Sequence, residues 1–266
     1  MFYALDPRNE YYGAPGKEWP AAFRSVFDPL VTLAFVAAHS RTIRLGVSVL
    51  LAPLYSPVVL AKALATLDVV SRGRLDVGLG LGWSVDEYEA AGVAWRDRGA
   101  RIEEFIRCLK AIWTSDECEF RGRFYTIPRS RNEPKPVQKP HPPILLGGYA
   151  DAVFRRVAEL ADGYTGGNIP IAEMREVVAR LSRAAQGAGR DPAALAVVCR
   201  GAFHVTDAPA GSGRRALWGT LDEIREDIRR YAECGVTELF LEPNFQPGGA
   251  SLERVLSHME ALAPDR

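Results

Sequence analysis

The stretch PVVLAKALATLDVVSRGRLDVGLGLGW, residues 57–83, decides how the chain is read. Its first part, 57–71, opens on a proline, the residue best suited to a first helical position, and reads as a helix. Its second part, 74–83, reads as a strand running into a glycine-rich turn. The same alternation extends outward. Upstream, 41–53 is a strand rich in Val, Leu and Ile, and Asp28-Pro29 opens a helix running to His39. Downstream come a helix at 99–115, a strand at 143–148, a helix at 151–161, a short strand at 163–166 and a helix at 171–186. A strand at 195–206, a helix at 221–234, a strand at 236–243 and a helix at 252–262 complete the series. One segment departs from it, an insertion near 117–142 that holds a hairpin turning at Arg121-Gly122 and then a proline-studded loop.

Repeated strand–helix units call for parallel strands joined by helical crossovers, and strands buried on both faces read as continuous apolar runs. The expected fold class is therefore α/β, in one domain spanning 1–266. A doubly wound sheet would carry its glycine fingerprint after the first strand, with an acidic residue about 20 positions on. Here Gly78, Gly80 and Gly82 lie in the third strand and the G-x-x-G step is missing, so a (β/α)₈ barrel is preferred.

Composition removes several function classes. The chain has 266 residues, with Lys plus Arg and Asp plus Glu both at 33 and a formal net charge of zero. Neither nucleic acid nor a membrane surface is expected as a partner, because both call for a basic excess. The four cysteines, at 108, 118, 199 and 234, have no metal-like or CxxC spacing and read as reduced thiols of a cytoplasmic protein. The N-terminus has no basic segment followed by an apolar one, and no apolar run approaches the ~18 residues of a membrane span.

Several motifs, taken in order, resemble one family. They are RLGVSVL at 44–50, the 57–83 stretch itself, the 103–113 helix, KPVQKPHPPILLGG at 135–148 and ADGY at 161–164. Together they resemble the luciferase-like monooxygenase superfamily, within it the branch that uses the 8-hydroxy-5-deazaflavin coenzyme F420. The resemblance covers residues 28–243 and implies a (β/α)₈ barrel with a flavin or deazaflavin at its C-terminal mouth, where barrel active sites lie. The implied activity is hydride transfer between coenzyme F420 and a small organic substrate. The alternatives are FMN with oxygen in a monooxygenase, or a shortened, non-catalytic paralogue that binds a ligand or partner.

The same resemblance implies a cis peptide at Ser48-Val49, placed against the cofactor ring. It also implies a phosphate site at Leu146-Gly147-Gly148, ahead of the 151–161 helix, where amide groups and the helix end favour an anion. Asp162 and Gly163, with Tyr164, are implied beside the cofactor. At the 74–83 strand end, Gly80 and Gly82 permit close backbone approach, Trp83 offers a flat apolar wall, and Asp86 follows them. Each of these residues has an ordinary structural reading too, a tight turn for the glycines and a core position for Trp83. Arg200 reads as a surface salt-bridge residue, with a second reading at a charged cofactor tail. His39 and His258 read as surface or capping residues, and His141 and His204 as structural. No HExxH, GxSxG or Walker pattern is present.

The beginning of the chain departs from the family. Members start with a strand, a helix and a second strand that ends near an Asp-His pair. Here Met1–Leu5 reads as that second strand and Asp6 is followed by Pro7, which cannot carry a proton. Seven strands are counted, represented by Phe2, Ile43, Leu75, Ile144, Gly163, Val197 and Val236, so the first strand and helix are missing. Either the natural protein is longer or the barrel is open, and an open edge needs a cover. A homodimer, or the 6–24 segment, is the expected cover.

Overall fold

The structure is a computed structural model in which residues 3–11, 19–211, 213–244 and 251–263 are described. They form two compact units, 1–148 and 149–266.

In the first unit α1 (Pro29–His39) is started by Asp28, whose carboxylate accepts from the Leu30 and Val31 amides at 2.9 Å. The strand expected at 41–53 forms as two short pieces, β1 (Leu45–Gly46) and β2 (Leu50–Leu51). Helix α2 (Pro57–Ser71) leads into β3 (Leu75–Gly80), and β1 and β2 both pair with β3 in parallel. A short helix α3 (Val85–Ala90), absent from the sequence reading, precedes α4 (Arg98–Thr114). It is a single turn and a half started by Ser84, too short to show an apolar period.

The expected hairpin is β4 (Cys118–Arg121) with β5 (Thr126–Ser130), antiparallel and closed by the Gly122 amide on the Tyr125 carbonyl. The Glu104 carboxylate of α4 accepts from the Arg123, Phe124 and Tyr125 amides and holds the turn. The proline-rich loop is anchored as well. The fully buried Asp68 accepts from the Gln138 amide and its Nε2, while Lys135 Nζ donates to the Ile112 and Ser115 carbonyls at the end of α4. That loop leads to β6 (Ile144–Gly147), parallel to β3. Leu60, Leu64, Leu75, Leu79, Phe105, Ile106, Leu109 and Ile144 are fully buried and form the core of this unit.

The second unit runs α5 (Asp151–Leu160), β7 (Gly163–Gly167), α6 (Ile171–Gly187) and β8 (Ala196–Ala202). A short parallel pair follows, β9 (His204–Val205) and β10 (Trp218–Gly219), then α7 (Leu221–Glu233), β11 (Glu238–Glu242) and α8 (Leu252–Leu262). β7, β8 and β11 are adjacent and parallel. The Thr220–Glu223 capping box starts α7. Asp227 of α7, 1% exposed, accepts from Arg214 at 2.5 and 3.1 Å and from the Leu217 amide at 2.8 Å, which fixes the loop ahead of the helix.

Apart from the β4–β5 hairpin and the β9–β10 pair, the described strands occupy six positions, β1 and β2 sharing one, and match the six counted after Phe2. Phe2 lies outside the described residues, and Tyr3–Leu5 does not form the strand expected of it. The 195–206 strand is broken at Phe203 into β8 and β9.

Candidate functional site

At the C-terminal end of β3, two glycines make room for the broken strand beside them. A β-carbon at Gly78 would stand 1.9 Å from the Val47 carbonyl oxygen, and one at Gly80 2.3 Å from Val49 Cγ2. Both positions face the same side of the strand, because side chains alternate along it. Between Val47 and β2 the Ser48–Val49 peptide is cis, as the resemblance implied, with Ser48 exposed and Val49 half-buried.

β6 brings in a third segment. Leu79 stands opposite Leu146 in register, and the Gly147 carbonyl oxygen lies 3.9 Å from the β-carbon position of Gly80. Ser48-Val49, Gly80–Gly82 and Leu146–Gly148 thus converge from three strand ends of one unit. Gly80 and Leu146 are buried, Val49, Leu81, Gly82, Gly147 and Gly148 are half-buried, and Ser48 is exposed.

Trp83 and Asp86 are already engaged by the N-terminal segment. Trp83 lies in an aromatic cluster, 4.5 Å from Trp19 and 5.2 Å from Tyr11 between ring centroids, both edge-on. Asn9 clamps the turn, its Nδ2 donating to the Trp83 carbonyl at 2.7 Å and its Oδ1 accepting from the Val85 amide at 3.0 Å. Arg8 donates through its backbone amide and Nε to Asp86, at 3.1 and 2.6 Å, and its guanidinium holds that carboxyl below its ordinary range. Asp86 is therefore an anchor for Arg8, and the described part of the 6–24 segment is seated on the β3 end. Sequence reading missed Arg8, Asn9 and Trp19, since their partners lie 64 to 78 residues away.

In the second unit Asp162 and Gly163 open the strand, as the sequence reading has them. They stand at the start of β7, and barrel sites form at the other end of a strand. The C-terminal end of β7 is Gly166-Gly167, where the Gly167 β-carbon position lies 2.8 Å from Arg200 Nη2. Arg200 is no surface residue: it pairs with Glu242 at 3.1 Å, with side-chain exposures of 21% and 13%. His258, read as a surface or capping residue, is half-buried on α8. His39 is exposed, with Nδ1 2.9 Å from the Phe35 carbonyl, and His141 is buried beside the Pro142 carbonyl.

Few groups near the β3 end can exchange protons at neutral pH. The phenol of Tyr88 donates to the Leu81 carbonyl at 2.5 Å and is pushed up by burial. Burial, with the charges of Asp28 and Glu87, pushes up Tyr55 as well. All four cysteines are free and buried; burial raises the Cys108 thiol to about 12 and the Cys199 thiol to about 11. Among the described residues no group of His, Cys, Asp and Glu can hold a metal ion, and no helix is long and apolar enough to cross a membrane.

Known proteins place this arrangement. The luciferase-like monooxygenase family matches residues 10–212, and the chain belongs to it. An uncharacterized protein of Mycobacterium bovis is 32% identical over 242 residues, 91% of this chain and 77% of that protein. The FMNH(2)-dependent dimethylsulfone monooxygenase of Pseudomonas putida is 42% identical over 118 residues, 43% of this chain and 32% of the enzyme. Among solved structures, a monooxygenase from Streptomyces bottropensis has a TM-score of 0.79 at 25% identity, covering 89% of this chain and 81% of its own. An F420-dependent secondary alcohol dehydrogenase has a TM-score of 0.74 at 14% identity, covering 88% and 84%. The fold is α/β of the (β/α)₈-barrel type, present in part.

Proposed function

We propose that the chain is an oxidoreductase that holds a flavin or deazaflavin across the strand ends of its first unit and acts on a small organic substrate. The convergence of Ser48-Val49, Gly80–Gly82 and Leu146–Gly148 carries this reading. A flat ring system needs backbone without projecting side chains, and these segments supply it from three adjacent strands. The residues fit such a group. Gly80 lets the neighbouring strand close up, Trp83 is braced by Trp19 as an apolar wall, and Gly147-Gly148 keeps side chains away from a phosphate.

When bound, the cofactor supplies the hydride or electron-pair chemistry. The chain's own residues position and shield. Tyr88, held protonated by burial, fixes the turn at Leu81, and Asn9 and Arg8 hold the N-terminal segment over the β3 end. Few acid–base side chains are required of the protein, in keeping with the inventory above.

Coenzyme F420 with hydride transfer is the first reading of the cofactor. The 42% identity to an FMNH(2)-dependent enzyme favours a second, reduced FMN with oxygen. Anaerobic and aerated mixtures with reduced F420 or reduced FMN, followed by absorbance with a panel of small carbonyl and sulfur compounds, separate them. Substrate-dependent oxidation of F420 without oxygen supports the first reading; oxygen-dependent turnover with FMN supports the second. We place the protein in a reducing compartment, the cytoplasm, on its four buried free thiols. We also propose a homodimer through α1, since Val31 and Phe35 are 71% and 66% exposed and β1 has one edge with no partner strand among the described residues.

A further inference from the structure

Residues 8–11 and 19–24 sit on the β3 end, yet none of them lies in a strand, and their one helical turn, Ala21–Arg24, buries no residue. Trp19, 3% exposed, is the one buried residue among those described in 3–28. Side chains make the attachment, and they do it in three ways. Asn9 clamps the Trp83 carbonyl and the Val85 amide without charge. Trp19 packs edge-on against Trp83. Arg8 pairs with Asp86 at 2.6 Å and with Glu89, the three side chains being 50%, 17% and 70% exposed. The two stretches are also tied to each other, Trp19 Nε1 donating to the Asn9 carbonyl at 3.1 Å and Tyr11 meeting Phe23 edge-on at 5.1 Å. They therefore come away from the turn together.

We propose that these residues are a latched cover on the strand-end site, opening to admit and release the cofactor, with the Arg8 ion pairs making that opening salt-dependent. The inference rests on the flavin or deazaflavin reading above. All the attachments fall on 83–89, the turn and short helix that follow Gly80–Gly82. A ring laid on those glycines with Trp83 as its wall shares that wall with Trp19. A segment with one buried residue and side-chain anchors belongs to the low-stability end of a fold and opens locally. Of its anchors the Asn9 clamp is indifferent to salt, whereas exposed ion pairs weaken as the screening length shortens. If the cofactor favours the closed arrangement, the closed arrangement favours the cofactor by the same factor.

The test follows release of FMN and of coenzyme F420 from the full chain by stopped-flow fluorescence. Sodium chloride is raised from about 0.01 M to about 1 M, which shortens the screening length from about 30 Å to about 3 Å. Release from the parent speeds up roughly twofold to fivefold beyond the change seen in Arg8→Gln, which keeps only the salt dependence of the cofactor's own charges. Asn9→Ala releases roughly tenfold faster at every salt concentration and keeps the parent's salt slope. Reciprocally, saturating cofactor slows tryptic cleavage at Arg24 in the parent, a readout that needs no variant. Binding with equal salt slopes in parent and Arg8→Gln overturns the proposal and leaves the cofactor reading standing. Unchanged release from Asn9→Ala, or cleavage at Arg24 indifferent to bound cofactor, does the same. No binding of either compound to the parent removes the reading and the cover together.

Discussion

Val49 and Gly80 interlock: a β-carbon at Gly80 would stand 2.3 Å from Val49 Cγ2, so the end of β3 and the strand beside it close together only through glycine. Gly80→Ala overpacks this contact and destabilises the chain by about 1–3 kcal/mol in urea unfolding. The obstacle is a side-chain tip, so Val49→Ala in the same chain restores most of the loss. Gly78→Ala meets the Val47 backbone oxygen at 1.9 Å, and no trimmed side chain rescues it. A Gly78→Ala variant as stable as the parent would show that the two strands approach less closely than this.

The Arg8–Asp86 contact gives the N-terminal segment an acid sensitivity with a defined sign. Arg8 depresses the Asp86 pKa, so the contribution is complete above the ordinary value of 3.8 and is lost as pH falls through the lower folded value. Tryptophan emission, to which Trp19 and Trp83 contribute two of the five tryptophans, shifts below pH 3.8 in the parent, and a Trp83→Phe variant shows a smaller shift. Asp86→Asn has already lost the contact at neutral pH and shows a weaker acid-dependent shift.

Asn9 holds the same segment without charge. Asn9→Ala leaves the Trp83 carbonyl and the Val85 amide without their clamp, at a cost of about 1–2 kcal/mol. Trypsin then cuts at Arg8 or Arg24 faster than in the parent, while the urea midpoint of the second unit stays put. Unchanged cleavage would mean that the aromatic cluster alone seats the segment.

Asp227 anchors the loop ahead of α7. Asp227→Ala leaves the Arg214 guanidinium, 16% exposed, with Glu223 as its remaining carboxylate at 3.4 Å and the buried Leu217 amide without its acceptor, and destabilises by about 1–3 kcal/mol. Asp227→Asn keeps the shape with only one acceptor oxygen and falls between the two. A loss under 1 kcal/mol for the alanine variant would mean that water reaches Arg214 readily.

The proposed dimer is checked by light scattering after gel filtration. The parent elutes with twice the chain mass, and Phe35→Lys, on an exposed α1 position, shifts it to the monomer. A parent of single-chain mass removes the dimer from the account.

The alternation of β and α elements was legible because apolar runs such as 74–80 and 143–147 are bounded by glycine or proline. The cis bond at Ser48-Val49 was legible only through the resemblance, as no residue type there marks it. Composition could not show that Gly78 and Gly80 serve the strand next door, because Val47 and Val49 reach them across a helix's worth of sequence. Nor could it show that Asp86 belongs to Arg8. The start of β7 at Gly163 was legible as well, since the Asp162-Gly163 step precedes the short apolar run that pairs with β8.

The central claim is that the strand ends around Ser48, Gly80 and Gly147 hold a flavin or deazaflavin. Equilibrium titration of the purified chain with coenzyme F420 and with FMN, each oxidised and reduced under anaerobic conditions, tests it most directly. The account predicts a saturable change in cofactor absorbance or fluorescence with at least one of the four species. Absence of binding by all four would contradict it.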